Sequence, residues 1–295
     1  MGTVSGEGLM TSPLTRVTLF DTRTSGVEDA SKFSAVHCSL MSESIEFRKT
    51  TVAVPGGRRI LESISLAVEA GTATVLLGRS GSGKTTLLRT VNRMVAPTSG
   101  EVLIGGKSNE DVDLIQLRRG IGYVIQETGL FPHFTVERNA GIVLEAEGVP
   151  RDERRERSHE LLRAVGLDPG SFAHRYPHQL SGGQRQRVGL ARALAADPEI
   201  LLMDEPFGAL DPLTRGEMQD MLLQLLGRLK KTVLLVTHDL NEALYLGNKI
   251  ALLHEGAVAA YVSPKEFLAS RLPAVEAYIN AFERGERNAG KGSTR

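Results

Sequence analysis

Eight consecutive residues, Gly78-Arg79-Ser80-Gly81-Ser82-Gly83-Lys84-Thr85, combine glycines, hydroxyls and a lysine at the spacing that cradles a phosphate. The glycines let the backbone wrap so that successive N–H groups converge on an anion, and a helix starting there adds favourable potential. Lys84 is placed to reach the β- and γ-phosphates of a nucleotide, the Thr85 hydroxyl to coordinate Mg²⁺, and the Thr86 hydroxyl to contact the α-phosphate. An apolar run, Ala73 to Leu77, precedes the motif, and an apolar periodic run, Thr85 to Val95, follows it. These are the strand and helix flanks the motif requires. The plain alternative is a flexible Gly-Ser linker that ends in Lys-Thr; from average glycine usage a chance match is on the order of one percent, and the flanks lower it further.

A second chemical feature is Ile200-Leu-Leu-Met-Asp204-Glu205-Pro206, an apolar strand that ends in two carboxylates and is stopped by proline. Neighbouring residues on a strand point to opposite faces, so the two acids are expected to divide the work. Asp204 is assigned to Mg²⁺ through water, and Glu205 to the attacking water as general base. A strand that simply ends at a charged loop is the ordinary reading, and it loses ground once the phosphate loop is present. A third feature, Leu180-Ser181-Gly182-Gly183-Gln184, precedes a helix expected from about Gln184 to Ala195, so Ser181 and the glycine amides form a second anion site at a helix N-terminus. Nearly a hundred residues separate it from the phosphate loop, and nothing in the sequence suggests that both grip one nucleotide within one chain.

Together, Gly78 to Thr86, Gln126, Leu180 to Gln184, Asp204-Glu205, Ala209-Leu-Asp211 and His238 resemble the motif set of the ABC ATPases, over essentially Ile45 to Phe282. The resemblance implies ATP and Mg²⁺ as ligands, with two such subunits, a homodimer or a pair, packed head to tail. Each ATP would then lie between one chain's phosphate loop and the other's Ser181 to Gly183. It further implies that Gln126 contacts Mg²⁺ and the water, that Asp211 helps form the dimer interface, and that His238 braces the γ-phosphate. The residue that stacks on adenine in the family falls near Val54, where no aromatic stands, so weaker base discrimination is expected unless Phe47 or an arginine such as Arg58 substitutes.

The elements that must position these residues are legible as short apolar runs alternating with longer periodic ones, the pattern of an α/β fold around a mostly parallel sheet. The buried strands are expected at Ala73 to Leu77, Ile121 to Ile125, Ile200 to Met203, Thr232 to Val236 and Lys249 to Leu253. The motifs fall at their carboxyl ends, where open α/β sheets bind ligands. Between Pro132 and Ala196 strand signals vanish, and helices such as Arg154 to Val165 are expected. The run from Arg151 to Arg157 mixes both charge signs at helical spacing and reads as a solvated face. By resemblance the fold is a P-loop NTPase core with an antiparallel β subdomain and a helical subdomain at about 127–196. The domain is expected over 44–283, with a disordered extension over 1–43 and a disordered tail over 284–295. Met41 stands just before the first strand-like segment, Ser44 to Arg48, and the natural start is expected there.

Lysine plus arginine equals aspartate plus glutamate at 35 each, so no basic footprint argues for a nucleic-acid partner. The single cysteine, Cys38, cannot form an internal disulfide and fits a reducing compartment. No apolar run approaches the roughly 18 to 20 residues of a membrane-crossing helix, so the expectation is a soluble or peripheral chain. Such a motor must hand its motion to other subunits, and Gln126-Glu-Thr-Gly-Leu-Phe-Pro-His133 is similar to the importer loop that receives a membrane subunit, with Leu130 and Phe131 as contacts. Local packing of that apolar pair is the plain alternative. The segments around Val91 to Gly100, Ile121 to His133 and Arg175 to Gly183 most resemble ATPases of osmoprotectant importers, whose cargo is glycine betaine, choline, carnitine or proline. This implies transmembrane permease subunits, an extracytoplasmic substrate-binding protein as an indirect partner, and a place on the cytoplasmic face of the plasma membrane. An amino-acid or other small-solute importer is the competing reading. From another class, the alternative is a non-transport ABC ATPase or a regulatory subunit without turnover, which would be expected to lack Glu205 or His238.

Overall fold

The computed structural model describes residues 43–292, so the expectations for the N-terminal extension, for a start at Met41 and for Cys38 lie outside the described residues. Five apolar runs become adjacent strands: β3 (Ala73–Leu77), β6 (Ile121–Val124), β7 (Ile200–Asp204), β8 (Thr232–Thr237) and β9 (Lys249–His254). They form a six-stranded sheet with β10 (Ala257–Val262) in the order β10-β9-β3-β8-β7-β6. Every pairing among the five is parallel, and β10 closes one edge antiparallel to β9. Alternation assigns their side chains to two cores. Val75, Leu77, Leu201, Met203, Val233 and Leu235 face one, and Leu76, Ile200, Leu202, Leu234 and Val236 face the other.

The second of these cores is shared with an antiparallel sheet of β1 (Ile45–Ala53), β2 (Arg59–Val68), β4 (Ser99–Ile104) and β5 (Lys107–Ser108), ordered β2-β1-β4-β5. Helix α1 (Lys84–Val91) buries Leu87, Leu88 and Val91 in it. After α2 (Leu114–Arg119) and β6, the chain between β6 and β7 is helical: α3 (Val136–Ala146), α4 (Arg151–Ala164), the short α5 (Pro169–Phe172) and α6 (Gly182–Ala193). The charge run at the start of α4 is only partly a solvated face, since Arg154 pairs with Glu145 at 2.7 Å and Arg155 with Glu137 at 3.8 Å. These contacts tie α4 to α3.

The remaining helices are α7 (Pro212–Leu229), α8 (Leu240–Leu246), α9 (Pro264–Ala269) and α10 (Pro273–Gly292). Helix α10 runs through Gly292, into the segment from 284 expected as a disordered tail, and residues 293–295 lie outside the described residues. Its segment Glu283-Arg-Gly-Glu-Arg-Asn-Ala289 contains no proline and mostly good helix formers, so a helix nucleated at Pro273 meets no stop signal there. No helix among the described residues is long and apolar enough to cross a membrane. The fold is the α/β arrangement expected, with a mostly parallel sheet, an antiparallel β layer and a helical stretch.

Candidate nucleotide site

The parallel strands deliver their carboxyl ends to one cavity of about 1550 Å³, lined by Lys84 and Thr85 after β3, Gln126 after β6, Glu205 after β7 and His238 after β8. This is the crevice that strand polarity favours for ligands. Arg79, Ser80, Gly81, Gly83 and Thr86 also line it, so the phosphate loop forms its floor. Glycine is required at two ends of that loop. A Cβ on Gly78 would collide with the Leu253 carbonyl and sit 2.7 Å from Ser82 Oγ, and Gly83, at φ 98°, has no room beside Leu61. The left-handed Gly83 is also the residue from which α1 starts.

Lys84 is 5% exposed, and its ammonium donates to the carbonyls of Gly78 (2.8 Å) and Arg79 (2.9 Å). Burial pulls its pKa down, while Glu205 and Asp204 act in the opposite direction. The buried Ser82 hydroxyl has no protein partner. A loop that holds a cation and an unpaired hydroxyl among inward-turned glycines suits a phosphate chain. Opposite it, Thr85 Oγ1 donates to Asp204 Oδ1 at 2.7 Å, and Arg89 Nη2 lies 3.4 Å from Asp204 Oδ2. The buried Asp204, Thr85 and the exposed Gln126 are hard oxygen donors of the kind Mg²⁺ selects.

Glu205 corrects the reasoning that separated the two acids. Strand β7 stops at Asp204, and Glu205 sits in the left-handed region at φ 44°, its N–H donating to the Val236 carbonyl at 3.0 Å. A turn, not strand alternation, aims Glu205 away from Asp204. Its Oε2 lies 3.3 Å from His238 Nδ1, which brings the two residues assigned to hydrolysis into contact. Thr237 Oγ1 accepts the Asp239 N–H at 3.0 Å and donates to the buried Glu242, whose carboxyl is held above the usual carboxylate range chiefly by burial. This bracing of the His238 backbone carries no sequence pattern and was missed.

Leu180 to Gln184 do not line this cavity. Helix α6 begins at Gly182, two residues earlier than expected, because Ser181 caps it: Ser181 Oγ accepts the Gln184 N–H at 3.2 Å and Gln184 Oε1 accepts the Ser181 N–H at 3.0 Å. Gly182 and Gly183 therefore belong to the first turn, where amides are free of helical partners. Leu180 is buried, whereas Ser181 is exposed. A Cβ on Gly183 would strike Thr214 of α7, so this glycine lets α6 approach α7 closely. Asp211 is exposed and caps α7, accepting the Thr214 N–H at 3.1 Å; hydrogen bonding from Thr214 holds its carboxyl below the usual range.

The loop from Gln126 to His133 is held by two residues the sequence did not single out. Arg192 of α6 donates to the carbonyls of Thr128 (2.6 Å) and Gly129 (2.7 Å), and the fully buried Asn139 of α3 bonds both the N–H and the carbonyl of Phe131. Leu130 packs against the helix-side core, while Phe131 remains 43% exposed. Of the two substitutes for the missing adenine-facing ring, Phe47 is excluded: it is 1% exposed, inside the core between the sheets, whereas Arg58 lines the cavity. Two rings not foreseen, Tyr278 and Phe282 of α10, also line it.

The family model described as ABC transporter matches residues 61–208. The chain is 48% identical over 224 residues to the osmoprotectant import ATP-binding protein OsmV of Salmonella typhimurium, an alignment covering 76% of this chain and 58% of that protein. It is 44% identical over 232 residues to the glycine betaine/carnitine/choline transport ATP-binding protein OpuCA of Bacillus subtilis, covering 79% and 60%. The chain thus spans less than two thirds of the length of these curated relatives. Among solved structures, it is similar to the dimeric post-hydrolysis ATP-binding cassette MJ0796 bound to ADP and Pi, at 34% identity and a TM-score of 0.66 over 75% of this chain and 98% of that one. It is also similar to CbiO1 of Clostridium perfringens, at 27% identity and a TM-score of 0.71 over 80% and 98%.

Proposed function

The chain belongs to the ABC transporter family, and from that premise we propose that it is the ATP-binding and ATP-hydrolysing subunit of an importer for osmoprotectants such as glycine betaine or choline. The observation that carries the ATPase reading is the meeting of Lys84, Gln126, Glu205 and His238 at the ends of four parallel strands in one cavity. The cargo reading rests on the similarity to osmoprotectant, betaine and choline transport subunits.

In this reading the phosphate-loop amides and Lys84 bind the β- and γ-phosphates, and the Lys84 ammonium exchanges its two loop carbonyls for phosphate oxygens. Thr85, Gln126 and, through water, Asp204 would hold Mg²⁺, which when bound would neutralise developing charge on the phosphate chain. Glu205 accepts the proton of the attacking water, and His238, which touches Glu205 at 3.3 Å, steadies the γ-phosphate. Ser181 and the Gly182 and Gly183 amides close over the γ-phosphate of a second copy's nucleotide, with Asp211 at the junction. Binding of two ATP molecules closes the pair, and hydrolysis reopens it. The Gln126 to His133 loop passes the motion through Phe131 to permease subunits, so the chain works as a peripheral subunit at the membrane, with a substrate-binding protein acting upstream.

The test is uptake of radiolabelled glycine betaine and choline at high osmolarity in cells carrying or lacking the gene. Loss of uptake on deletion, restored by the wild-type gene and not by Glu205→Gln, is the expected result. Undiminished uptake of both compounds on deletion would reject the cargo assignment.

A further inference from the structure

Helix α10 lies beyond the motifs of the site yet forms part of its wall. One face is anchored in the helix-side core through the fully buried Val275 and the partly buried Ile279. The neighbouring face, through Ala274, Ala277, Tyr278 and Ala281, borders the nucleotide cavity. Tyr278 donates its hydroxyl to the backbone carbonyl of His238 at 2.7 Å. Burial, assisted by Asp239 and opposed by Arg79 of the phosphate loop, pushes the phenol up to about 12, so it remains a proton donor throughout the physiological range.

The His238 imidazole is carried by the Cα to which the His238 carbonyl carbon is bonded, so a hydrogen bond that holds this carbonyl limits how far the backbone that carries the imidazole can shift. On the strand side the backbone is pinned by Thr237 and Glu242, and at the start of α8 by Asp239, which accepts the Asn241 N–H at 2.8 Å. Tyr278 supplies the hold from a helix that no motif includes. Tyr278 lines the cavity together with Arg79 of the phosphate loop, and its hydroxyl reaches the His238 turn.

We infer that Tyr278 is a positioning residue for ATP hydrolysis: its hydroxyl fixes the His238 carbonyl and thereby holds the imidazole in the attitude that serves the γ-phosphate, which makes α10 a working part of the nucleotide site. Small errors in such placement reduce turnover more than binding, because the contact matters most in the transition state. This rests on the functional reading above.

The test is steady-state ATP hydrolysis by the purified full chain. Tyr278→Phe keeps the ring and removes the hydroxyl; the expected result is a kcat lowered about fivefold, the worth of one ordinary hydrogen bond, with KM for ATP and affinity for ADP unchanged. Leu222→Ala, in α7 and in the same helix-side core but away from the cavity, is expected to lower the melting temperature while leaving kcat intact. A wild-type kcat in Tyr278→Phe, a loss carried by KM, or an equal loss of kcat in Leu222→Ala would each overturn the inference. His238→Ala separates the two levels. If it leaves hydrolysis unchanged the functional reading fails, whereas if it abolishes hydrolysis and Tyr278→Phe is indistinguishable from wild type, only the role of Tyr278 fails.

Discussion

Glu205 stands in a backbone conformation that costs a non-glycine residue about 1–3 kcal/mol, and it sits where the chain turns off β7 toward His238. That Asp204 and Glu205 have different surroundings, Thr85 beside one and His238 beside the other, was legible from residue types and from the apolar run before them, but its cause was not. A left-handed turn leaves no mark in a sequence when the residue that adopts it is glutamate. Val54 shows the opposite case, since the absence of a ring is plain in the sequence, and only burial could reject Phe47 and keep Arg58 as the cavity-facing substitute. If the Arg58 guanidinium stacks on the base, its removal forgoes about 0.5–1 kcal/mol. Arg58→Ala is therefore expected to weaken ATP binding about two- to fivefold in a titration and to leave inorganic triphosphate binding unchanged; equal weakening of both would place Arg58 on the phosphates instead.

Among the elements, the five parallel strands and the helices that follow their motifs were readable because burial on both faces turns them into continuous runs of Val, Ile and Leu. The antiparallel sheet was known only through resemblance. Register shifts interrupt β1 against both β2 and β4, and Lys49 and Ser63 adopt positive φ, so the period-two pattern that reveals a half-buried strand is broken. Contacts between elements were not legible at all, and Arg192 is the clearest instance. It joins the helix that begins at Gly182 to the loop after β6 through two carbonyls, linking the second anion site to the segment assigned to the permease. Arg192→Ala removes charge-assisted bonds worth about 1–3 kcal/mol, and a lower urea midpoint is expected together with faster hydrogen exchange at residues 127–131. An unchanged midpoint and exchange rate would show that Asn139 alone secures the loop.

At the scale of the whole molecule, the phosphate loop, Gln126, Glu205 and His238 share one cavity, and the stretch from Leu180 to Gln184 contributes nothing to it. Ser181 is exposed and caps α6, and the Gly182 and Gly183 amides after it have no helical partner, yet none of these residues lines the cavity that contains the same chain's phosphate loop. Such an arrangement is satisfied when a second copy supplies the first half, as in the function proposed above. The central claim is therefore that each nucleotide site is built from two chains. Sedimentation of Glu205→Gln with ATP and Mg²⁺, with and without a second change, Ser181→Arg, tests it most directly. The expected result is a stable dimer holding one ATP per chain for Glu205→Gln, and for the double variant a monomer that still binds ATP with undiminished affinity. Loss of ATP binding by the Ser181→Arg monomer, or an unaltered dimer, would contradict a site shared between chains.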